Sequence, residues 1–422
     1  MLTPVPVAVK HLESYRSSVR PGVIEAIQRD GHPLIGARVL HVNATAFGGG
    51  VAEILGSLVP LMRDLGILAD WKVISGSDDF FKVTKAMHNA LQGKPHEWTA
   101  DDRHTWVEQN RLNTAGWEEY DFVVIHDPQP APLLKILRAS GEHPRGKWLW
   151  RCHIDLTDAQ PEAWELLRHF VTEFDGSIWT MRQYVREGVP ERNLFIAPPA
   201  IDPLSPKNAP MDESEVRAVL HRYGLDPARP MVCQVSRFDP WKDPLGVIDA
   251  YRQAKRAHPG LQLVLVGSMA NDDPEGWEWY EKVLRRSGED YDIKVLTNLN
   301  GVGNLEVNAF QQAAEVVIQK STREGFGLVV AEGLWKGKPC IGGNAGGIPL
   351  QIEDGRSGYL VNNVEECATR LGELLCDPAL RQRMGKTGRE HVRDQFLITR
   401  YLHDYVRMFR QLAGNPVDGT PG

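Results

Sequence analysis

The sequence predicts an α/β protein built from two Rossmann-like, doubly wound domains. Short β-branched and apolar runs recur with helical stretches between them. These runs are apolar throughout instead of alternating, which indicates strands buried on both faces of a parallel sheet. They fall into two sets of six on either side of a proline-rich segment, and 422 residues exceed what one ordinary core accommodates. Two doubly wound domains facing each other across a cleft are the expected solution, with ligands beyond the carboxyl ends of the strands.

The first set reads ARVLHVN (37–43), WKVISG (71–76), DFVVIHD (121–127), KWLWRCHID (147–155), GSIWTM (176–181) and LFIAPP (194–199). The second reads PMVCQVS (230–236), LQLVLVG (261–267), DIKVLT (292–297), EVVIQKS (315–321), KPCIGG (338–343) and SGYLVN (357–362). Between them, residues 198–212 (PPAIDPLSPKNAPMD) place five prolines among polar residues, break both periodicities and read as an interdomain linker. The expected domains are therefore 1–205 and 206–389. The last segment, about 389–412, carries Val392, Phe396, Leu402, Val406 and Phe409 at helical spacing and reads as one helix.

A net charge of −7 without a long Lys/Arg run argues against binding nucleic acid or a membrane surface by global electrostatics, so any phosphate must be met by local cations. The five cysteines are odd in number, show no CxxC spacing, and read as buried free thiols of a reducing cytoplasm. MLTPVPVAVKHLESYRS has no signal-peptide core, and no apolar run approaches the roughly 18 residues of a membrane span. No HExxH or other metal-ligand spacing occurs among the histidines, so no metal site is expected.

The segment 321–332, STREGFGLVVAE, sets Glu324 and Glu332 eight residues apart around a Gly-Phe-Gly turn that should open a helix, with Glu332 about two turns along. The backbone N–H groups of Gly325, Phe326, Gly327, Leu328 and Val329 then face a common pocket. That pocket suits an anion joined to a hydroxylated group, such as a nucleotide sugar. In SRFDPWKD (236–243), Arg237 and Lys242 follow a strand five residues apart, a planar fork and a point charge able to neutralise a diphosphate. Glu332 is assigned to ribose hydroxyls, because one carboxylate accepts from two neighbouring O–H groups.

Gly48, Gly49 and Gly50 follow the first strand and precede a helical pattern of Val51, Ile54, Leu55, Leu58, Met62 and Leu65, forming a phosphate or sugar cradle or a plain turn. The pattern is neither GxGxxG nor a P-loop, and Pro60 is expected to kink the helix. His126 and Asp127 end the third strand; His153 and Asp155 end the fourth. His126 reads as a packed core histidine. Asp127 is the acceptor-side carboxylate, placed to hold hydroxyls and help remove a proton from an attacking oxygen. Trp71, Lys85, His88, Asn89 and Gln129 complete the expected acceptor pocket. Gly346 and Gly347 of NAGGIPLQI (344–352) either approach the same phosphate or form a strand-to-helix turn.

The spacing of the two glutamates, followed by WKGKP, resembles the family-four retaining glycosyltransferases of GT-B fold. GGGVAEIL (48–55), 75–93, HDPQP (126–130), HIDLTDAQPEAW (153–164) and APPAIDPLSPKN (197–208) resemble, in order, the trehalose glycosyl-transferring synthases over roughly residues 35–400. The resemblance implies transfer of glucose from a nucleoside diphosphate glucose to free glucose, reversibly, giving α,α-trehalose. It implies that Glu324 holds the donor glucose, that Gly325, Phe326 and Gly327 offer N–H groups to the sugar, and that Leu328 and Val329 offer them to the phosphate. His153 is implied beside the transferring sugar, and a last helix, about 390–422, is implied to cross back onto the first domain. Glu324, Asp127, His153, Arg237 and Lys242 are the expected catalytic set, with no tightly bound cofactor and magnesium only as an optional activator. The expected partners are small molecules, with a homodimer left open. The rivals are a trehalose phosphorylase, a transferase making trehalose phosphate, and a two-domain sugar-binding protein without chemistry.

Overall fold

The computed structural model describes residues 1–269 and 274–414. The chain divides into two compact units, Met1–Ala200 with Ile398–Gly422, and Ile201–Leu397.

The first unit carries β1 (Thr3–Pro4), β2 (Arg38–Asn43), β3 (Leu68–Val73), β4 (Phe122–His126), β5 (Lys147–Arg151), β6 (Gly176–Trp179) and β7 (Leu194–Ile196). They form one sheet in the order β1-β3-β2-β4-β5-β6-β7. Every pairing is parallel except β1 with β3. All six expected strands are present. The strand expected at 71–76 instead begins at Leu68, and β4 to β7 end sooner than the apolar runs do, so His153 and Asp155 lie on the loop after β5. The two-residue edge strand β1 was not expected, because two residues, one of them a proline, show no periodicity.

Alternate strand residues supply two cores. Val39, Val124, Leu149 and Ile178 pack with Tyr401, Tyr405 and Phe409 of the helix Ile398–Leu412. Val42, Val123, Ile125, Trp148 and Trp150 pack on the opposite face with Leu133, Leu134 and Trp164. The closing helix is also held by Asp30, which accepts from His403 Nε2 at 2.7 Å and Arg410 Nη1 at 3.0 Å. The single helix expected over 389–412 is two: Pro378–Gln395 ends at Phe396 and Leu397, and Ile398–Leu412 belongs to the first unit. Phe396 N–H still bonds back to Val392 O, but its backbone has left the helical region, so the apolar spacing survives across a break. The helix Gly50–Asp64 runs through Pro60 without interruption, with Pro60 itself buried.

The second unit carries β8 (Met231–Val235), β9 (Gln262–Gly267), β10 (Ile293–Thr297), β11 (Val316–Gln319), β12 (Cys340–Gly343) and β13 (Gly358–Val361). The sheet order is β10-β9-β8-β11-β12-β13, parallel throughout. Val232, Leu263, Leu265, Val316, Ile318 and Ile341 bury one face against Val247, Tyr251 and Leu371. The proline-rich stretch is docked on this unit: Asn308 Nδ2 donates to Pro206 O at 2.9 Å and to Ala209 O at 2.8 Å. Four cysteines are buried and free as expected, but Cys376 is exposed near the end of a surface helix. Among the described residues no helix is long and apolar enough to cross a membrane.

Candidate functional site

Leaving aside the edge strand β1, the chain enters each sheet near the middle, at β2 or β8, builds outward to one side, and then returns to build the other. The crevice at that reversal lies outside the carboxyl ends of β2 and β4 in the first unit, and of β8 and β11 in the second. Arg237 and Lys242 follow β8, and Glu324 follows β11, so the second-unit residues gather at its switch point. Lys242 Nζ donates to Glu324 Oε2 at 2.6 Å, with side chains 13% and 12% exposed. Glu324 Oε2 also accepts from Ser321 Oγ at 3.2 Å and Gln319 Nε2 at 3.4 Å. The two loops are stitched by Thr322 N–H to Trp241 O at 2.7 Å and by an ion pair of Lys320 with Asp243. Asp239 accepts from the N–H groups of Trp241 and Lys242, and lies 3.4 Å from the largely exposed Arg237 guanidinium. Burial raises the Asp239 carboxyl above its usual range, while Lys242 and Arg237 oppose the rise.

Gly327 precedes the helix Leu328–Trp335 with φ +82°, a conformation that side chains other than glycine's rarely tolerate. Leu328 and Val329 therefore supply the first N–H groups of that helix. Glu332 stands little more than one turn along, not two, because the helix begins only at Leu328. It is 1% exposed, and accepts from Gln311 Nε2 at 3.0 Å with Lys207 Nζ 3.3 Å away. Neither partner was expected from the sequence. Lys207 arrives from the proline-rich stretch, which only the folded second unit brings to Glu332. Gly347 lies against the loop 324–327: a Cβ there would fall 2.8 Å from Gly325 O and from Phe326 Cα. Phe326 is buried and its ring packs 5.4 Å from that of Phe396.

In the first unit, Gly48 and Gly49 both take positive φ, and Gly49 caps the helix Gly50–Asp64 just beyond β2. Asp127, just beyond β4, also has positive φ (+61°), uncommon outside glycine. Three contacts hold it there. Its N–H donates to Arg151 O at 2.8 Å, its Oδ1 accepts from His153 N–H at 2.8 Å, and its O accepts from Trp150 Nε1 at 3.0 Å. Packing around the carboxyl raises its pKa to about 7, opposed by the His153 amide and the Arg151 cation.

His126 lies between two other imidazoles. Its Nε2 is 3.0 Å from His41 Nδ1 and its Nδ1 is 2.9 Å from His153 Nε2. Burial pushes His41 down to about 3 and holds His126 and His153 well below the usual histidine range, with Arg151 adding to the effect on the latter two. His41, in the middle of an apolar strand, carried no signal in the sequence.

Of the remaining acceptor-pocket residues, Gln129 sits on the Asp127 loop, where its O accepts from Trp106 Nε1 at 3.1 Å and Asn110 Nδ2 at 3.0 Å. Lys85, His88 and Asn89 lie on the helix Asp78–Leu91 at spacings that share a face. Trp71 is 4% exposed and donates Nε1 to Asn43 Oδ1 at 2.7 Å, which leaves little of its surface for a ligand. Asp155 is turned to its own loop, accepting from Thr157 N–H at 2.9 Å. Among the described residues no cluster of three or more His, Cys, Asp or Glu side chains is arranged to hold a metal ion.

Residues 41–186 match the family model for the trehalose synthase N-terminal domain, and residues 219–391 match that for group 1 glycosyl transferases. A trehalose synthase from Thermococcus litoralis is 49% identical over 94% of this chain and 96% of its own. Another from Rubrobacter xylanophilus is 48% identical over 96% and 98%. A crystal structure of a UDP-forming α,α-trehalose-phosphate synthase from Burkholderia xenovorans, in complex with glucose-6-phosphate, aligns with 89% of this chain and all of its own. Its TM-score is 0.72 at 14% identity, so it shares the fold. With two doubly wound sheets of the GT-B glycosyltransferase type and near-full-length identity close to one half, the chain belongs to the trehalose synthase family of glycosyltransferases.

Proposed function

We propose that this protein transfers glucose, with retention, from a nucleoside diphosphate glucose to the anomeric hydroxyl of free glucose. The products are α,α-trehalose and the nucleoside diphosphate, and the reaction is reversible. The observation that carries the reading is the Lys242–Glu324 pair beside the N-terminus of the helix Leu328–Trp335. There, Lys242, Arg237 and the N–H groups of Leu328 and Val329 stabilise the charge growing on a departing diphosphate, a contribution of about 2.7 to 4 kcal/mol for each fixed donor. Glu324 and the Gly325–Phe326–Gly327 backbone orient the donor glucose, and Glu332 takes the ribose. On the acceptor side, Asp127 holds the incoming glucose with Gln129, Lys85, His88 and Asn89 around it, the buried Trp71 backs the pocket without facing the sugar, and His153 bonds a hydroxyl of the transferring sugar. Gly48, Gly49 and Gly50 also bind the donor.

Attack on the face the diphosphate leaves, with a phosphate oxygen receiving the acceptor's proton, gives retention without a carboxylate nucleophile. No tightly bound cofactor is required by this logic, and magnesium is no more than an optional activator. The four buried free thiols favour a cytoplasmic location. A trehalose phosphorylase remains the rival reading; it leaves a ribose-binding Glu332 without a purpose.

Mixing the protein with glucose and, in turn, uridine, adenosine and guanosine diphosphate glucose tests the proposal. Trehalose and free nucleoside diphosphate in equal amounts are expected with at least one donor. Trehalose cleavage that depends on inorganic phosphate, with no turnover of any nucleotide donor, would establish the phosphorylase instead. Binding without turnover of either kind would leave a sugar-binding protein.

A further inference from the structure

We propose that His126 and His41 are positioning residues that fix the tautomer of His153. His153 then carries its proton on Nδ1 and donates, rather than accepts, a hydrogen bond at the transferring glucose. The inference deepens the proposed function and rests on its placement of His153 beside the sugar.

The three imidazoles come from neighbouring positions in the sheet: His41 on β2, His126 on β4 and His153 just past β5. Two N···N contacts, 3.0 Å and 2.9 Å, join them end to end, and the rings of His126 and His153 stack with centres 5.3 Å apart. Each contact needs one proton and one lone pair. A neutral imidazole supplies one of each, so the row admits only two orders: every proton on Nδ1, or every proton on Nε2.

The inner end decides between them. His41 is fully buried, with Tyr405 against its ring, and its Nε2 has no hydrogen-bond partner among the described residues. Protons on Nε2 would leave a buried N–H with nothing to accept it, and orphaned buried donors are rarer than under-used acceptors. Protons on Nδ1 leave only a bare lone pair there. In that order His41 donates to His126, His126 donates to His153 Nε2, and His153 has a single group left to offer. That group is Nδ1–H, on a partly exposed residue whose Nδ1 bonds to none of the described residues. Depressed basicity along the row supports the neutral state that this counting requires.

Two-bond nitrogen–hydrogen correlation spectra of the full chain with 15N-labelled histidine, assigned through single substitutions, read the order directly. All three rings are expected to be neutral and protonated on Nδ1; a proton on Nε2 of His153, or a charged ring there, would overturn the proposal. Two variants give a second readout. His126→Asn keeps a donor where Nδ1 was, whereas His126→Gln puts its amide where Nε2 was and loses that donor. The Asn variant should retain kcat/KM within about threefold and the Gln variant should lose about tenfold, the worth of one hydrogen bond, with KM for the nucleotide donor unchanged in both. Equal losses in the two variants would reduce His126 to a packing residue and also overturn the proposal. The spectra do not depend on turnover. If His153→Ala left transfer unchanged, the placement of His153 at the sugar would fail while the proton order stood.

Discussion

Lys242 Nζ and Glu324 Oε2 meet at 2.6 Å across the switch point of the second sheet, one from the loop after β8 and one from the loop after β11. Both side chains are largely hidden from solvent, so each charge is held in place by the other before any ligand arrives. A diphosphate leaving beside them would compete with Glu324 for the ammonium, and that exchange strengthens as negative charge accumulates.

Lys242→Ala should therefore lower kcat by about 100- to 1000-fold, with a smaller effect on KM for glucose. Steady-state kinetics with a nucleoside diphosphate glucose checks this. A loss of less than about threefold, below the worth of a single hydrogen bond, would remove Lys242 from the stabilisation of the leaving group.

Asp127 gives a pH dependence of defined sign. Its carboxyl ionises near pH 7 in the fold against 3.8 as its ordinary value, because burial disfavours the anion. Between those values the folded state keeps a proton that the unfolded state releases, so raising the pH through this window destabilises the protein through this group. Transfer should rise through about pH 7 as Asp127 ionises. Asp127→Asn should abolish transfer, keep nucleotide binding, and be more stable than the parent at pH 8 by a few kcal/mol, with the gap closing toward pH 4. Thermal melts at both pH values and nucleotide titrations check the three parts; weakened nucleotide binding in the variant would move Asp127 to the donor side.

The Glu332 carboxylate already engages Gln311 and Lys207. If it also takes the ribose, the parent should prefer a ribonucleoside diphosphate over its 2′,3′-dideoxy analogue by about tenfold or more, and Glu332→Gln should lose most of that preference. Calorimetric titration of both ligands against both proteins completes the cycle. An undiminished preference in the variant would place the ribose elsewhere.

Gly347→Ala should cost about 1 to 3 kcal/mol and depress activity, because the new Cβ would meet backbone atoms of Gly325 and Phe326 at 2.8 Å and displace the loop that carries Glu324. Its backbone already has negative φ, so steric contact and not conformational strain is what the substitution probes. Urea denaturation alongside kinetics separates the two effects; an unchanged midpoint would mean the loop yields freely.

Most strands were legible from residue order alone, because a strand buried on both faces, as β2, β4, β8, β9, β11 and β12 are, has to be largely apolar, and the ends of β4, β8 and β11 therefore located Asp127, Arg237, Lys242 and Glu324. The same local logic failed at the two-residue β1. It also failed at Phe396–Leu397, where apolar residues at helical spacing span the break between two helices.

What residue order determined by itself was the pair of doubly wound sheets, the glycine turns and the loops on which the charged side chains sit, since each follows from periodicity and backbone preference within a few residues. What only the tertiary structure decided was which side chains face one another: Lys207 and Gln311 at Glu332, and the row from His41 through His126 to His153. Those meetings depend on strand order and on chain segments far apart in sequence, and burial then assigns the proton positions and charges that no local pattern contains.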